Sequence, residues 1–323
     1  MTPAFRSICI IVPYFGRLPA MLPLWLASCR RNPDVTWLLF TNDRTPYDYP
    51  PNVLVEYTTF AALRAVVAER LQLPILLETG WDFCRFRPAY GHIFADRLAA
   101  FRWWGYCDLD VIFGSLRTFL TDAVFDSHDK IMWLGHLALY RNDPGVNLAY
   151  MDKTTNGEIL YERAFTKGDV SCFDEIGINQ ILEQQGRRIY RAVVFADFAQ
   201  RSFLFRRLYL PGRIDPSGGR QVFTWADGIL RRHFLTPEGA GSEELLYIHF
   251  CRRRMTLNLT PVPNIVSFAM IPNQFVDCPA RVDCDFILRN TRNQIYWSYW
   301  LPRLHPRRIF RRLLWQVGLV REP

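Results

Sequence analysis

The feature that most narrows the fold of this chain is a set of short, uninterrupted apolar runs near its start. Ser7–Val12 (SICIIV) is a continuous apolar run, Thr36–Phe40 (TWLLF) reads as a second buried strand, and Val53–Tyr57 as a third strand. Such runs belong to strands covered on both faces, as in a parallel sheet. Pro13 is expected to stop the first strand, with Tyr14-Phe15-Gly16 as a loop. Between the first two strands, Leu18–Arg31 reads as a helix, with Leu22, Trp25, Leu26 and Cys29 at helical spacing and Asn32-Pro33 ending it. Phe60–Leu71 has the same character. Strand, helix, strand and strand again predict an α/β fold with a mostly parallel central sheet. Ligands of such sheets bind outside the carboxyl ends of the strands, where Tyr14, Gly16, Asn42 and Asp43 fall. G-x-G-x-x-G and G-x-x-x-x-G-K-[ST] are both absent, which argues against a nicotinamide dehydrogenase and a P-loop NTPase.

The stretch Phe101–Gly114, FRWWGYCDLDVIFG, is a core strand running into two aspartates. Alternation puts Asp108 and Asp110 on one side with Leu109 turned away. Two neighbouring carboxylates repel unless a cation joins them, and Mg2+ or Mn2+ is the natural third member. The other reading is a pair of strand-end aspartates that cap a turn or pair with arginines. Upstream, Trp81–Ile93 reads as a basic loop ahead of a helix over Phe94–Arg102. Arg85, Arg87 and Tyr90 could hold a nucleotide's base and diphosphate there, or lie in solvent.

Further along, a helix is expected over Leu116–Phe125, strands over Lys130–Leu134 and Leu137–Arg141, and a turn at Asn142–Gly145. Asp174 and Glu175 open a helix that runs to Gln184. Acids in a first turn complement the helix dipole, so their presence has a structural explanation beside a chemical one. Ala192–Asp197, Leu204–Leu210 and Val222–Trp225 are strand-like. Leu245–Phe250 (LLYIHF) carries His249, either a core residue or a ligand. Cys251-Arg252-Arg253-Arg254 comes next and could clamp a diphosphate.

Composition sets the outer limits. Half the residues are apolar and 15% aromatic, as in a folded globular protein. The net charge of +8 rests on 36 arginines against three lysines. Arginine's planar fork suits phosphate, but the basic residues are dispersed and no nucleic-acid-binding module is visible, so nucleic acid is not an expected partner. Eight cysteines without a C-x-x-C pair point to reduced thiols in the cytoplasm and to no zinc site. The opening MTPAFRSICIIVPYFG does not read as a signal peptide. Met255–Val276, the longest uncharged stretch, is too broken by proline and asparagine to span a membrane. Near the end, RRIFRRLLWQV after Pro306 sets Ile309, Phe310, Leu313, Leu314 and Val317 against Arg307, Arg308, Arg311 and Arg312. This basic amphipathic helix would lie on an anionic membrane surface or pack on the domain.

Taken together, VPYFG (12–16), FTND (40–43), RFRPAYG (85–91), WWGYCDLDVIFG (103–114), LGHLALYRN (134–142), FDE (173–175) and YIHFCRRRM (247–255) resemble the GT-A-fold glycosyltransferases, especially bacterial enzymes of capsule and exopolysaccharide clusters. The resemblance implies a single GT-A-like domain over residues 1–260 and a C-terminal extension over 261–323. Its Rossmann-like nucleotide-sugar half would be 1–115 and its acceptor half 116–260. It implies Mn2+ or Mg2+ held by Asp108, Asp110 and His249, and a nucleotide-sugar donor, UDP-sugars foremost. Tyr14 and Asp43 would line the nucleoside pocket. Arg87, Tyr90, Asp108, Arg253 and Arg254 would contact the nucleotide and its diphosphate. The acceptor would be a saccharide or a lipid-linked saccharide at the inner face of the membrane. Asp174 and Glu175 are the paired carboxylates that an inverting enzyme would use as base. A retaining enzyme needs none, and both outcomes stay open. The late motif reads HFCRRRM in place of H-x-x-G-x-x-K-P-W. Two rival readings are a haloacid-dehalogenase-like phosphatase with Asp108 as nucleophile, and a catalytically inactive GT-A scaffold docked on a membrane.

Overall fold

The structure, a computed structural model, describes residues 7–198, 207–210, 213–214, 219–251, 253–262 and 264–292. They fall into two compact units. The first takes in the chain up to Val194 together with Leu246–Ile248, and the second takes Phe195–Leu245 and the chain from His249 onward. This division departs from the expected one at residue 260. The chain leaves the first unit at Val194 and returns for three residues, so a single cut cannot separate the two.

The strands of the first unit are β1 (Ile8–Tyr14), β2 (Val35–Thr41), β3 (Val53–Tyr57), β4 (Trp103–Cys107), β5 (Val111–Phe113), β6 (Lys130–Leu134), β7 (Leu137–Arg141) and β8 (Ile189–Tyr190). Seven of them form one sheet in the order β3-β2-β1-β4-β7-β6-β8. β1, β2, β3 and β4 are mutually parallel. β7 runs antiparallel to both β4 and β6, and β8 is parallel to β6. The fold is thus mixed α/β, with a parallel half built from the apolar runs. Trp104 and Tyr140 face each other across β4 and β7, their rings stacked at 4.4 Å, an aromatic cross-strand pair that holds the antiparallel junction.

Helix α1 (Leu22–Arg30) starts later than Leu18, because Pro19 and Pro23 restrict the chain and Pro23 is tolerated only in the first turn. Helix α2 (Phe60–Leu71) has the expected bounds. Thr59 caps it by accepting from the Ala62 N–H at 3.1 Å. Pro13 does not end β1. Pairing with β4 stops at Ile11, so the missing N–H costs no ladder bond on that side, and the strand runs on beside β2 to Tyr14. The expected loop at 81–93 is a succession of short helical turns, Gly80–Asp82, Phe83–Phe86, Arg87–Ala89 and Tyr90–Ile93. Phe83, Phe86, Tyr90 and Ile93 are buried at helical spacing, and Pro88 breaks the run into pieces. Instead of one helix over 94–102 there is a single turn, Ala95–Leu98. The helix expected over 116–125 is two, Leu116–Phe119 and Asp122–Ser127, separated by extended Thr121.

Asn32 fastens the parallel half to the segment beyond β5. Its amide donates to the Ser28 and Gly114 carbonyls at 3.1 and 2.9 Å, and its oxygen accepts from the Leu116 N–H at 2.8 Å. The side chain is only 3% exposed.

In the second unit, β9 (Ala196–Phe198), β10 (Arg207–Leu210) and β11 (Arg213–Ile214) pair antiparallel. A further sheet contains β12 (Gln221–Ala226), β13 (Ile229–Thr236), β14 (Gly239–Leu245), β16 (Thr256–Asn258), β17 (Ser267–Ile271) and β18 (Gln274–Val276). Its order is β14-β13-β12-β17-β18-β16, all antiparallel except β16 beside β18. Between them in sequence, β15 (Tyr247–His249) carries the return through the first unit. Asp227 and Gly228 both have positive φ, 50° and 89°, the signature of a type I′ hairpin turn. Pro272-Asn273 turns β17 into β18, with Asn273 at φ 67°. On β13 the nearly inaccessible Arg232 donates to Gln221 at 2.6 Å and Glu243 at 2.9 Å, linking three strands. A buried arginine in the inward row is why the apolar pattern of β13 and β14 is hard to read. A short helix, Cys284–Asn290, capped by Asp283, packs Ile287 against Val222 and Ile271.

The basic amphipathic helix expected after Pro306 lies outside the described residues. Among the described residues no helix is long and apolar enough to cross a membrane. Replacing Asn32 by Ala leaves the Gly114 carbonyl and the Leu116 N–H without their partner, and is expected to cost about 2–3 kcal/mol. Urea denaturation measures it. A loss under about 0.5 kcal/mol would mean that water or a neighbour substitutes for the amide.

Candidate functional site

The bend between β4 and β5 carries Asp108-Leu109-Asp110 at the carboxyl end of the parallel strands. Leu109 is buried, and the two aspartates are partly exposed. The Asp108 N–H donates to the His136 carbonyl at 3.1 Å, fixing the bend to the β6–β7 connection.

Asp108 is paired with an arginine. The Arg87 Nη2 donates to its Oδ1, and Nη1 reaches both the Gly135 carbonyl at 2.8 Å and Asp174 Oδ2 at 3.3 Å. The guanidinium lies over the Tyr106 ring at 5.0 Å, and the side chain is 11% exposed. Burial works against the guanidinium's charge, but Asp108, Asp174 and neighbouring groups outweigh it and hold the group protonated.

Asp174 and Glu175 sit in a π-turn, Phe173–Gly177, that enters the helix Ile178–Gln184. A regular first helical turn was the expectation. The wider turn directs the two acids inward, an arrangement found often where side chains serve a site. Asp174 is buried, and Tyr106 donates to its backbone carbonyl at 3.1 Å. Glu175 is half-buried and accepts from the Gly135 N–H at 2.6 Å. A Cβ on residue 135 would stand 2.9 Å from both carboxylates and 3.2 Å from Arg87, so a side chain there would have to push these groups aside. Burial raises the proton affinity of both acids, opposed by Arg87 at Asp174 and by the Gly135 N–H at Glu175.

Nearby in the same unit, the fully buried Lys130 donates to Asn179 at 2.6 Å, and its ammonium lies 4.7 Å from the Tyr140 ring centre. Burial pushes it down to about 7 against the opposing charge of Asp174. Tyr14 ends β1, partly exposed; burial first and then the charge of Asp110 raise its hydroxyl's pKa. Asn42 and Asp43 hold the loop after β1. Asn42 accepts from the Gly16 N–H at 2.8 Å and Asp43 from the Leu18 N–H at 2.8 Å, while the other Asp43 oxygen takes Thr45.

The other expected site residues have these surroundings. Tyr90 is buried and donates to the Phe83 carbonyl at 3.3 Å. Arg87 serves protein carboxylates, and Asp43 shapes a loop with both oxygens. In the second unit, Arg253 is buried with its Nε on Asn273 at 2.9 Å, bracing the β17–β18 turn, whereas Arg254 is exposed. Arg252 lies outside the described residues. His249 ends β15, with Nδ1 2.7 Å from Asp197 Oδ1. A neutral histidine that donates there carries its lone pair on Nε2, as histidine ligands of metals do.

Lys130, Asn179, Gly135 and Asp197 were not singled out from the sequence. A lysine inside KIMWL, in a chain with only three, was the one available signal. Because the unfolded chain keeps the Lys130 proton to a higher pH than the folded one, stability should rise between pH 7 and 10.5. Lys130→Met should flatten that rise in urea melts. An unchanged slope in the variant would assign it to other groups.

No curated protein matches the chain. Over residues 10–279, from within β1 to just past β18 and including every candidate residue above, it matches a family described only as a family of unknown function, DUF6625. The chain belongs to the DUF6625 family.

Proposed function

We propose that this protein is a metal-dependent glycosyltransferase that moves a sugar from a nucleotide-sugar donor to a saccharide or lipid-linked acceptor in cell-surface polysaccharide synthesis. The observation that carries the reading is the Arg87-centred link between the aspartate bend and the acidic π-turn, set at the carboxyl end of parallel strands. The parallel order β3-β2-β1-β4 agrees with the first four strands of the doubly wound order common among nucleotide-binding folds, which supports the GT-A-like form of the proposal.

The donor set suits the cation. Asp108 and Asp110 present hard carboxylate oxygens on one side of a bend, the chemistry of Mg2+ or Mn2+ sites. Under this reading His249 is a further ligand, a role carried by the resemblance and suited by the Asp197 hydrogen bond at Nδ1. The ion would offset the negative charge that grows on the departing diphosphate. Tyr14 borders the nucleoside, and the exposed Arg254 adds donors for phosphate oxygens. Glu175, half-buried, with raised proton affinity and held by the Gly135 N–H, takes the proton of the acceptor hydroxyl in an inverting reaction, while the buried Asp174 beside it pairs with Arg87. UDP-sugars are the first donors to test. The working location is the inner face of the membrane, reached by the basic segment after Pro306. The phosphatase alternative is less well supported, because the Arg87 guanidinium already engages its nucleophile, Asp108.

A thermal-shift panel of UDP-, GDP-, CMP- and dTDP-sugars with and without Mn2+ tests the class. Stabilisation should require one nucleotide and the metal together, and Asp110→Asn should abolish it along with transfer. Wild-type behaviour in Asp110→Asn removes the reading. Glu175→Gln should lower kcat by about 100-fold or more while leaving donor affinity near wild type. Undiminished turnover would mean that Glu175 is not the base.

A further inference from the structure

Arg87 has a property that neither a phosphate-binding arginine nor a simple structural one needs. It is already the cation of the aspartate bend. Its guanidinium contacts Asp108, Asp174 and the Gly135 carbonyl and rests on Tyr106. The flanking Phe86, Pro88, Ala89 and Tyr90 are all buried, so the helical turns that carry Arg87 are locked into the core and give it little room to swing aside. A divalent ion arriving at the partly exposed Asp108 therefore meets a fixed positive charge on a largely enclosed side chain, where charge interactions are stronger than in bulk water.

We infer that Arg87 is the resident counter-ion of the Asp108–Asp110 bend, making it a weak site for a bare divalent cation and a good one for a cation that arrives with a diphosphate. The inference rests on the glycosyltransferase reading and sharpens it. Arg87 offsets part of the pull that Asp108 and Asp110 exert on a lone ion. A diphosphate brings negative charge of its own to outweigh the guanidinium, so metal and nucleotide bind as one unit. Arg87 is thus a positioning residue that sets binding order, and it need not touch the substrate.

The test uses the full chain and Mn2+ itself, followed by the loss of the free-ion electron paramagnetic resonance signal, alone or with inorganic pyrophosphate or UDP. Wild type should bind Mn2+ alone weakly, and either diphosphate should tighten it by about tenfold or more. Arg87→Gln removes the charge and keeps an amide donor. Arg87→Met removes the charge together with its hydrogen-bond donors. In either, Mn2+ alone should bind about tenfold or more tightly than in wild type, and the gain from diphosphate should shrink. Arg87→Lys keeps the charge and should stay close to wild type. Melting curves identify which variants are folded, and one folded neutral variant is enough. If that variant holds Mn2+ no better than wild type, while wild type binds Mn2+ with UDP, the counter-ion role is wrong and the enzyme reading stands. If no form of the chain binds Mn2+ under any condition, the metal-dependent reading itself fails, and this inference with it.

Discussion

One largely enclosed guanidinium between two carboxylates is the interaction on which the first unit's functional face depends. Charges taken out of water are tolerated only when paired and hydrogen-bonded, and removing one partner leaves the others at heavy cost. Arg87 satisfies Asp108 and Asp174 together and takes up the Gly135 carbonyl as well. Three segments with no shared secondary structure, the aspartate bend, the β6–β7 connection and the π-turn, are thereby held in register. The glycine at 135 and the widened turn at 173–177 are local consequences, because both let backbone and carboxylates approach the same guanidinium.

A second layer supports this arrangement from behind. The row Trp104, Tyr140 and Lys130 runs across β4, β7 and β6, with stacked rings on one side and a buried ammonium on the other. Lys130 reaches Asn179 on the helix that continues the π-turn, and Asn179 in turn donates to the Trp133 carbonyl. The acids at 174 and 175 are therefore fastened at both ends of their turn. Such a framework holds charged groups at fixed distances, which is what a site needs if its electrostatics are to be set before a ligand arrives.

Much of the fold was legible in short-range pattern. Short apolar runs marked β1 and β2, the strand-forming run Val53–Tyr57 marked β3, α2 has the bounds its spacing predicts, and β4, β6 and β7 lie where strands are expected. Departures came where one residue type masked another signal. Arg85, Arg87 and Pro88 hid the buried spacing of Phe83, Phe86, Tyr90 and Ile93. Buried Arg232 hid β13, although Asp227-Gly228 between β12 and β13 was a readable hairpin turn. Pro13 read as a stop because a sequence does not reveal on which side a strand has lost its neighbour.

The site divides in the same way. From the sequence alone, alternation was enough to expect two carboxylates on one side of a strand end with a leucine turned away between them; the structure keeps the leucine buried and the aspartates partly exposed, but sets all three in the bend between β4 and β5 and not in a strand. The sequence also placed paired acids in the first turn of a helix ending at Gln184, where the structure has a π-turn ahead of that helix. It offered arginine pairing as one fate of the aspartates, without saying which arginine. Only the tertiary structure decided that Arg87 stands between Asp108, 21 residues away, and Asp174, 87 residues away. It alone buried Tyr90 and Arg253, and it alone joined His249 to Asp197. The reason is physical. Alternation and helical spacing act between near neighbours, whereas the partner of a buried charge is chosen by which distant segments the packed sheet brings within hydrogen-bond reach.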